Sequence, residues 1–232
     1  MGNIPYDPRD YLLIFYHLSN RAPQFYHMTK CPHSGPIKLL MAHQNFKYID
    51  EPIKTKEWQQ RREEIITYRV PALRIQHRDG RLEWMTEAPA IMRCLGKQYN
   101  LLGRDDMEAY HCDRIIGKIM ESGRILANFY KNRKFHDSDE HEQVEYKEKL
   151  FKNISVVLQH LDRMLQEAPG SYAASGVITI ADFYLLDIVD FLLANKPECL
   201  TQFPYLQKWR KHLLDTDQPV AKFTASRSWT II

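Results

Sequence analysis

The sequence predicts an α/β domain of mixed strands and helices, followed by an all-α domain. Before Asn100, short apolar stretches typical of strands alternate with helical patterns. After that point apolar residues recur at helical spacing almost throughout the chain. A mixed segment that gives way to a run of helices favours two packed units over one continuous sheet.

The first half contains several strand candidates and two helix candidates. The strand candidates are residues 11–17, 25–29, 46–50, 70–75 and 82–85. The last two are joined through Asp79-Gly80, a pair typical of tight hairpin turns. One helix starts near Pro36, because proline is favoured in a first helical turn. A second helix follows Thr86, whose hydroxyl is expected to cap it, with Pro89 in its first turn.

The second half is predicted to be helical. Asp105 or Asp106 caps a long helix, and Ala168-Pro-Gly ends the next one. That next helix has a continuous apolar stripe, formed by Leu150, Ile154, Val157, Leu158, Leu161 and Leu165. Thr179 precedes Asp182 by three residues, a capping-box arrangement with Asp in place of Glu. We therefore expect an N-terminal extension or arm over 1–23, an α/β domain over 24–100 and a helical domain over 104–232.

Composition excludes several functional classes. The chain has 232 residues, of which 44% are hydrophobic and 26% charged, and its net charge of +3 is too small to indicate a nucleic-acid partner. No apolar run is long enough for a membrane helix, and residues 1–10 lack the pattern of a signal peptide. The four cysteines are not spaced like metal ligands. These features predict a cytoplasmic protein with no metal site, no nucleic-acid partner and no membrane span.

The order and spacing of several short motifs resemble a known family. They are Val70-Pro71, Glu87 to Arg93, Leu95, Gly103 and Thr179 to Asp182. Over roughly residues 40 to 225 the chain resembles glutathione transferases, most closely the sigma class and its helminth branch. The resemblance implies a thioredoxin-like N-terminal domain with a mixed four-stranded sheet, followed by an all-helical domain. It also implies a homodimer with one glutathione site per subunit, glutathione and a small electrophile being the substrates.

The resemblance extends to glutathione-binding positions on the backbone. Pro71 would follow a cis peptide bond that turns the Val70 N–H and C=O outward, where they pair with the cysteinyl part of glutathione. Glu87 and Ala88 occupy the position of an acid or amide followed by serine at a helix N-terminus. The family's serine hydroxyl holds the γ-glutamyl carboxylate. Ala88 lacks that hydroxyl, which removes a charge-assisted hydrogen bond of about 1.5–3 kcal/mol. Pro89 also departs from the family pattern.

Three side chains match further binding positions. Trp58 and Arg62 match a tryptophan and a lysine that bind the glycyl end of glutathione in relatives. Arginine keeps the charge of that lysine but changes the hydrogen-bonding geometry. Glu121 matches an acidic residue that reaches the ligand amine in the partner subunit. The residues themselves also allow plainer roles, a surface aromatic for Trp58, a solvated charge for Arg62 and an interface ion pair for Glu121.

The catalytic group depends on which segment forms the first strand. Members of the family with a catalytic tyrosine stabilise the glutathione thiolate by a hydrogen bond from the tyrosine hydroxyl at the end of that strand. If residues 12–16 form it, the catalytic position holds Phe15 with Tyr16 beside it, and a long loop separates strand from helix. This loop length makes the first alignment the less favoured one.

If residues 24–29 form the strand, the helix follows without an insertion. His27 then takes the tyrosine position, and Tyr26 lies beside it. Cys31-Pro-His-Ser34 resembles the Cys-Pro-x-Ser start of omega-class and glutaredoxin-like proteins, whose cysteine forms a mixed disulfide with glutathione. Spacing favours this alignment, and a one-residue shift of register would exchange the two faces of the strand. Tyr16, Tyr26 and Cys31 are the catalytic candidates, whereas His27 is interpreted as structural.

Two functions follow from these residues. The favoured one is glutathione conjugation to an electrophile, or thiol transfer through Cys31. The alternative is a non-catalytic structural or partner-binding protein that kept the fold, which Ala88, Pro89 and the altered first strand favour. In either case residues 1–23 are a candidate arm for a protein partner.

Overall fold

The computed structural model describes residues 22–28, 34–130 and 139–227. Its first part is a four-stranded sheet with helices, and its second part is helical. The strands are β1 Gln24–Met28, β2 Ile49–Ile53, β3 Ala72–Gln76 and β4 Leu82–Thr86. The helices of this part are α1 Gly35–His43, the short α2 Trp58–Arg61 and α3 Ala88–Gln98, with 3₁₀ turns at Thr55–Glu57 and Arg62–Glu64 flanking α2. The predicted fold class is confirmed.

The sheet has the order β2-β1-β3-β4. β1 pairs in parallel with β2 and antiparallel with β3, and β3 and β4 form the predicted hairpin. Gly80 lies in the hairpin turn at φ +85°, a conformation that glycine adopts without steric cost. Because β1 is the segment of the second alignment, the connection from strand to α1 is short. The strand candidate at residues 11–17 lies outside the described residues.

Two sequence predictions in this half are wrong in detail. The second strand starts at Ile49, not at Phe46, because the Phe46 N–H bonds back to Met41 and its buried ring closes the end of α1. Thr86 does not cap α3, because it is still paired with Ala72 as the last residue of β4. Glu87 therefore becomes the N-cap residue of α3.

The helical domain contains five helices and one 3₁₀ turn among the described residues. They are α4 Asp106–Tyr130, α5 Glu140–Glu167, α6 Ile180–Asn195, the 3₁₀ turn Pro197–Leu200, α7 Pro204–Thr216 and α8 Gln218–Ser226. Asp105 caps α4, since its carboxylate accepts from the Glu108 N–H at 2.9 Å. The predicted apolar stripe of α5 is buried throughout. Within the described residues, the helices lack an apolar stretch of bilayer-spanning length.

Most of the core is one continuous cluster that joins both parts of the chain. It contains Phe25 of the sheet, the apolar residues of α1 and α3, and the inner faces of α4 to α8. A second, smaller cluster on the opposite face of the sheet contains Tyr26, Ile53, Ile65 and Ala72. The sheet is therefore covered on one face by helices and on the other by the segment that includes α2.

The start of α6 is held by a buried polar network. The Asp182 carboxylate accepts the Thr179 N–H at 2.8 Å, the Ala173 N–H at 2.7 Å and the Trp209 indole N–H at 2.8 Å. The predicted capping box is present, and the carboxylate also ties α6 to α7 through the indole. Burial raises the pKa of Asp182, and the hydrogen bonds oppose that rise.

Candidate functional site

The ends of the β3–β4 hairpin bring two chain segments side by side. Ala72 and Thr86 are direct partners in the ladder, so the residues before β3 lie next to those after β4. The Val70–Pro71 peptide bond is cis, as predicted. Nearby, the exposed side chains of Arg69 and Glu87 approach to 3.7 Å. Four of the predicted site residues, Val70, Pro71, Glu87 and Ala88, are therefore gathered at one edge of the sheet.

The backbone of Val70 lies just before the first ladder residue of β3. β3 begins only at Ala72, and among the described residues no backbone hydrogen bond uses the Val70 N–H or C=O. β1 runs antiparallel to β3, with Tyr26 opposite Ala72, so Met28 at the end of β1 is level with Val70. An extended peptide can add to such an edge through main-chain hydrogen bonds.

The N-terminus of α3 faces the same edge. Glu87 caps it at φ +66° and ψ 109°, a backbone conformation that costs of order 1–3 kcal/mol for a residue other than glycine. The Glu87 side chain forms no capping hydrogen bond, so among the described residues its cap position leaves the first N–H groups of α3 for an anion. Ala88 is the first helical residue, and only 7% of it is exposed. Strain and an uncapped helix end in one place are typical of a binding site.

Trp58 and Arg62 differ in their relation to this edge. Trp58 begins α2 and packs, like Val70, against the small cluster on the outer face of the sheet. Arg62 begins the following 3₁₀ turn, and its side chain is exposed. The structure thus brings Trp58 to the cluster that includes Val70, while Arg62 remains a cation in solvent.

Tyr26 is buried in that small cluster. Its ring is 5.5 Å from the Trp84 ring, and the guanidinium groups of Arg61 and Arg74 lie 5.9 and 5.8 Å from its centroid. Burial raises the pKa of the hydroxyl, and the charge of Arg74 opposes that rise. Only 3% of Tyr26 is exposed, and its surroundings are those of a packed core side chain. A catalytic role for Tyr26 stays a prediction.

His27 points to the other face of β1 and is held by a polar network. Its ring stacks on Phe25, its Nε2 lies 3.0 Å from the Asp50 Oδ1, and its Nδ1 lies 3.0 Å from the Met28 carbonyl oxygen. Lys38 contacts the same Asp50 carboxylate at 2.9 Å. Burial, followed by the charge of Lys38, lowers the pKa of His27. These contacts support the interpretation of His27 as a structural residue.

The remaining predicted residues are spread over the chain. Glu121 lies on α4 and accepts from the Lys118 ammonium at 2.7 Å, which is the main cause of its lowered pKa. Its contact with a partner subunit stays a prediction. Tyr16 and Cys31 lie outside the described residues. Within the described part of the chain, no group of three or more His, Cys, Asp or Glu side chains is arranged to hold a metal ion.

Sequence reasoning missed two charged groupings, one around Tyr26 and one between helices of the second domain. Arg61 and Arg74 surround Tyr26, and they are oriented by Glu51 and Gln24 respectively. The period of two in β3 places Arg74 on the same face as Ala72, and this alternation was the available signal. The second grouping pairs Asp187 of α6 with Arg227, and no short-range pattern indicates contacts between residues so far apart in the chain.

Comparisons with known proteins agree with this geometry. The family model described as "Glutathione S-transferase, C-terminal domain" matches residues 126–227. The class-mu 28 kDa glutathione S-transferase of Schistosoma japonicum is 28% identical over 196 residues, covering 84% of this chain and 93% of that protein. The sigma class transferase of Fasciola hepatica superimposes with a TM-score of 0.79 at 23% identity, covering 90% of this chain and 98% of the other.

The chain is related to the glutathione transferases and has their fold. The same fold occurs outside flatworms, since the structure of monomeric Na-GST-3, a glutathione S-transferase of the hookworm Necator americanus, superimposes with a TM-score of 0.76 at 16% identity, covering 91% of this chain and 100% of the other. Matches to this family span both the sheet domain and the helical domain. The resemblance stated from the sequence motifs is confirmed.

Proposed function

We propose that this chain is a glutathione S-transferase-like enzyme, which binds reduced glutathione along the edge formed by Val70 and the N-terminus of α3. The observation that carries the proposal is the alignment of two complementary backbone features there. The Val70 N–H and C=O, which form no backbone hydrogen bond with another described residue, suit an extended thiol peptide. The N-terminus of α3, where the Glu87 side chain forms no capping bond, suits the carboxylate of the adjoining residue of that peptide. Relatives of the same fold are named as glutathione transferases.

Each end of a glutathione molecule has a candidate partner. Its γ-glutamyl carboxylate would take the free N–H groups at the start of α3, beside Glu87 and Ala88. The glycyl carboxylate would take the exposed Arg62 guanidinium, with Trp58 packed beneath that region. Glutathione is the substrate in this proposal, and no metal takes part. We further propose the sigma class, a cytoplasmic homodimer with Glu121 near the partner's site, and a docking role for residues 1–23.

Two reactions are compatible with the candidate residues. In conjugation, the glutathione thiolate attacks an electrophilic carbon, a C–S bond forms, and the leaving group departs with its electron pair. The thiol proton goes to solvent, and a hydroxyl from Tyr16 or Tyr26 would stabilise the thiolate. In thiol transfer, the Cys31 thiolate attacks the glutathione sulfur of a mixed disulfide and expels the other thiolate. A second glutathione thiolate then releases glutathione disulfide.

Parallel assays distinguish these reactions. Conjugation is measured with 1-chloro-2,4-dinitrobenzene, and thiol transfer with a glutathione mixed disulfide of a small thiol. Cys31→Ala, Tyr16→Phe and Tyr26→Phe are compared with Cys94→Ala, which alters an exposed cysteine on α3. Loss of thiol transfer in Cys31→Ala alone assigns the nucleophile. Loss of conjugation in one tyrosine variant assigns the hydroxyl. A wild-type protein inactive in both assays contradicts the enzymatic proposal.

A further inference from the structure

α8 lies along α1 in the opposite direction, with a polar contact at each end. His43, the last residue of α1, places its Nδ1 2.5 Å from the carboxylate of Asp217, the N-cap residue of α8. At the other end, Arg227 follows α8 and pairs with Asp187 of α6, beside the first residue of α1. α1 is therefore bonded to α8 through His43 at its C-terminal end, and its first residue lies against the Asp187–Arg227 pair.

The contact at the start of α1 is unusually close. A Cβ atom added to Gly35 would lie 1.8 Å from the Asp187 Oδ1 and 2.8 Å from the Arg227 Nη2. Only glycine allows this approach, because any larger residue would displace the carboxylate. The Asp187 and Arg227 side chains are 9% and 13% exposed, so the pair is almost withdrawn from water.

The pair belongs to a larger set of buried charges. Asp190 lies one turn further along α6 and accepts from the Arg210 Nε of α7 at 2.7 Å, with a side chain only 3% exposed. Tyr184, an uncharged polar residue one turn before Asp187 on α6, is also buried. Burial raises the pKa of Asp187 to about 6, Arg227 opposes that rise, and Asp190 adds to it. Removing either partner of such a pair leaves an uncompensated buried charge.

The position of this pair connects it to the candidate site. β1 ends level with Val70, and after residues 29–34 the chain enters α1 at Gly35. α1 also packs against α3, whose N-terminus forms part of the candidate site. We propose that Asp187 and Arg227 are positioning residues for this site, because they hold the start of α1 and thereby fix α1 against α3. The inference rests on the proposed function, since it names residues that support the same site.

The test compares Arg227→Met, Asp187→Asn and their combination with wild type. Lys211→Met is the matched control, because Lys211 forms an exposed ion pair with Asp215 on α7. The readouts are kcat and KM for glutathione in the conjugation assay, and hydrogen exchange of the α1 amides without ligand. Both single variants are expected to lower kcat/KM about tenfold or more, since small displacements of reacting groups have effects of this size. Their α1 amides should exchange faster.

The combined variant separates positioning from simple loss of stability. It leaves no unpaired charge, so it should recover part of the loss seen in each single variant, and Arg227→Lys should stay within threefold of wild type. If a single variant does not fold, the combined variant and Arg227→Lys still provide the test. Variants that keep kcat/KM within twofold and α1 exchange unchanged overturn the proposal. If wild type binds no glutathione, the proposed function fails, while α1 exchange still decides whether the pair positions α1.

Discussion

The substitution Ala88→Ser restores the hydroxyl that the resemblance to glutathione transferases expects at the start of α3. Ala88 is the first helical residue, its side chain is nearly buried, and the helix end beside it is uncapped. A hydroxyl there can donate to the ligand carboxylate, and such a hydrogen bond to a charged group contributes about 1.5–3 kcal/mol. The dissociation constant for glutathione should therefore fall by about 10- to 150-fold.

Calorimetric titration with reduced glutathione measures this change, and thermal unfolding without ligand accompanies it. Ala90→Ser is the matched control, because Ala90 lies two residues later in the same helix and is exposed. The hydroxyl at residue 88 lies next to free N–H groups, so the cost to stability should stay near 1 kcal/mol. An unchanged dissociation constant in Ala88→Ser, or an equal gain in Ala90→Ser, would refute the assignment of the carboxylate site.

Three further predictions concern stability. Asp182→Ala leaves four buried donors without their acceptor and should lower the free energy of unfolding by about 3–5 kcal/mol. The exposed cap variant Asp139→Ala should cost about 1 kcal/mol in the same denaturant titration. Leu161→Ala removes a fully packed side chain of α5 and should cost about 2–5 kcal/mol by denaturant unfolding, and a cost below 1 kcal/mol would contradict the packing. Asp187 binds its proton more tightly when folded, so its contribution to stability is complete below about pH 4 and is lost as pH rises through about 6. The difference in free energy of unfolding between Asp187→Asn and wild type should therefore shift in favour of the variant by up to about 3 kcal/mol from pH 4 to pH 7. The same difference at both pH values would contradict the assignment.

Local patterns predicted the parts of the fold that depend on neighbouring residues. The hairpin through Gly80, the cap at Asp105 and the capping box at Thr179 all depend on contacts within a few residues, and each is present. The helix start at Thr86 failed because a tertiary contact was decisive. Pairing with Ala72 keeps Thr86 in the sheet, and the cap position moves to Glu87.

The candidate site could be predicted only in part, for a related reason. Val70 and Glu87 adjoin each other because β3 and β4 form a hairpin, so sequence order was sufficient to place them together. The faces of Tyr26 and His27 depend on strand register, which sequence spacing left open. Asp187 and Arg227 meet at Gly35 through the packing of three helices, and no pattern within any one helix contains that information.

The measurement that tests the central claim most directly is calorimetric titration of the purified wild-type chain with reduced glutathione. The account predicts saturable binding, with one site per subunit and a dissociation constant in the micromolar to low-millimolar range. The heat should be reduced by Arg62→Ala, which removes the proposed partner of the glycyl carboxylate. Absence of saturable heat at millimolar glutathione would contradict a glutathione site at Val70 and α3.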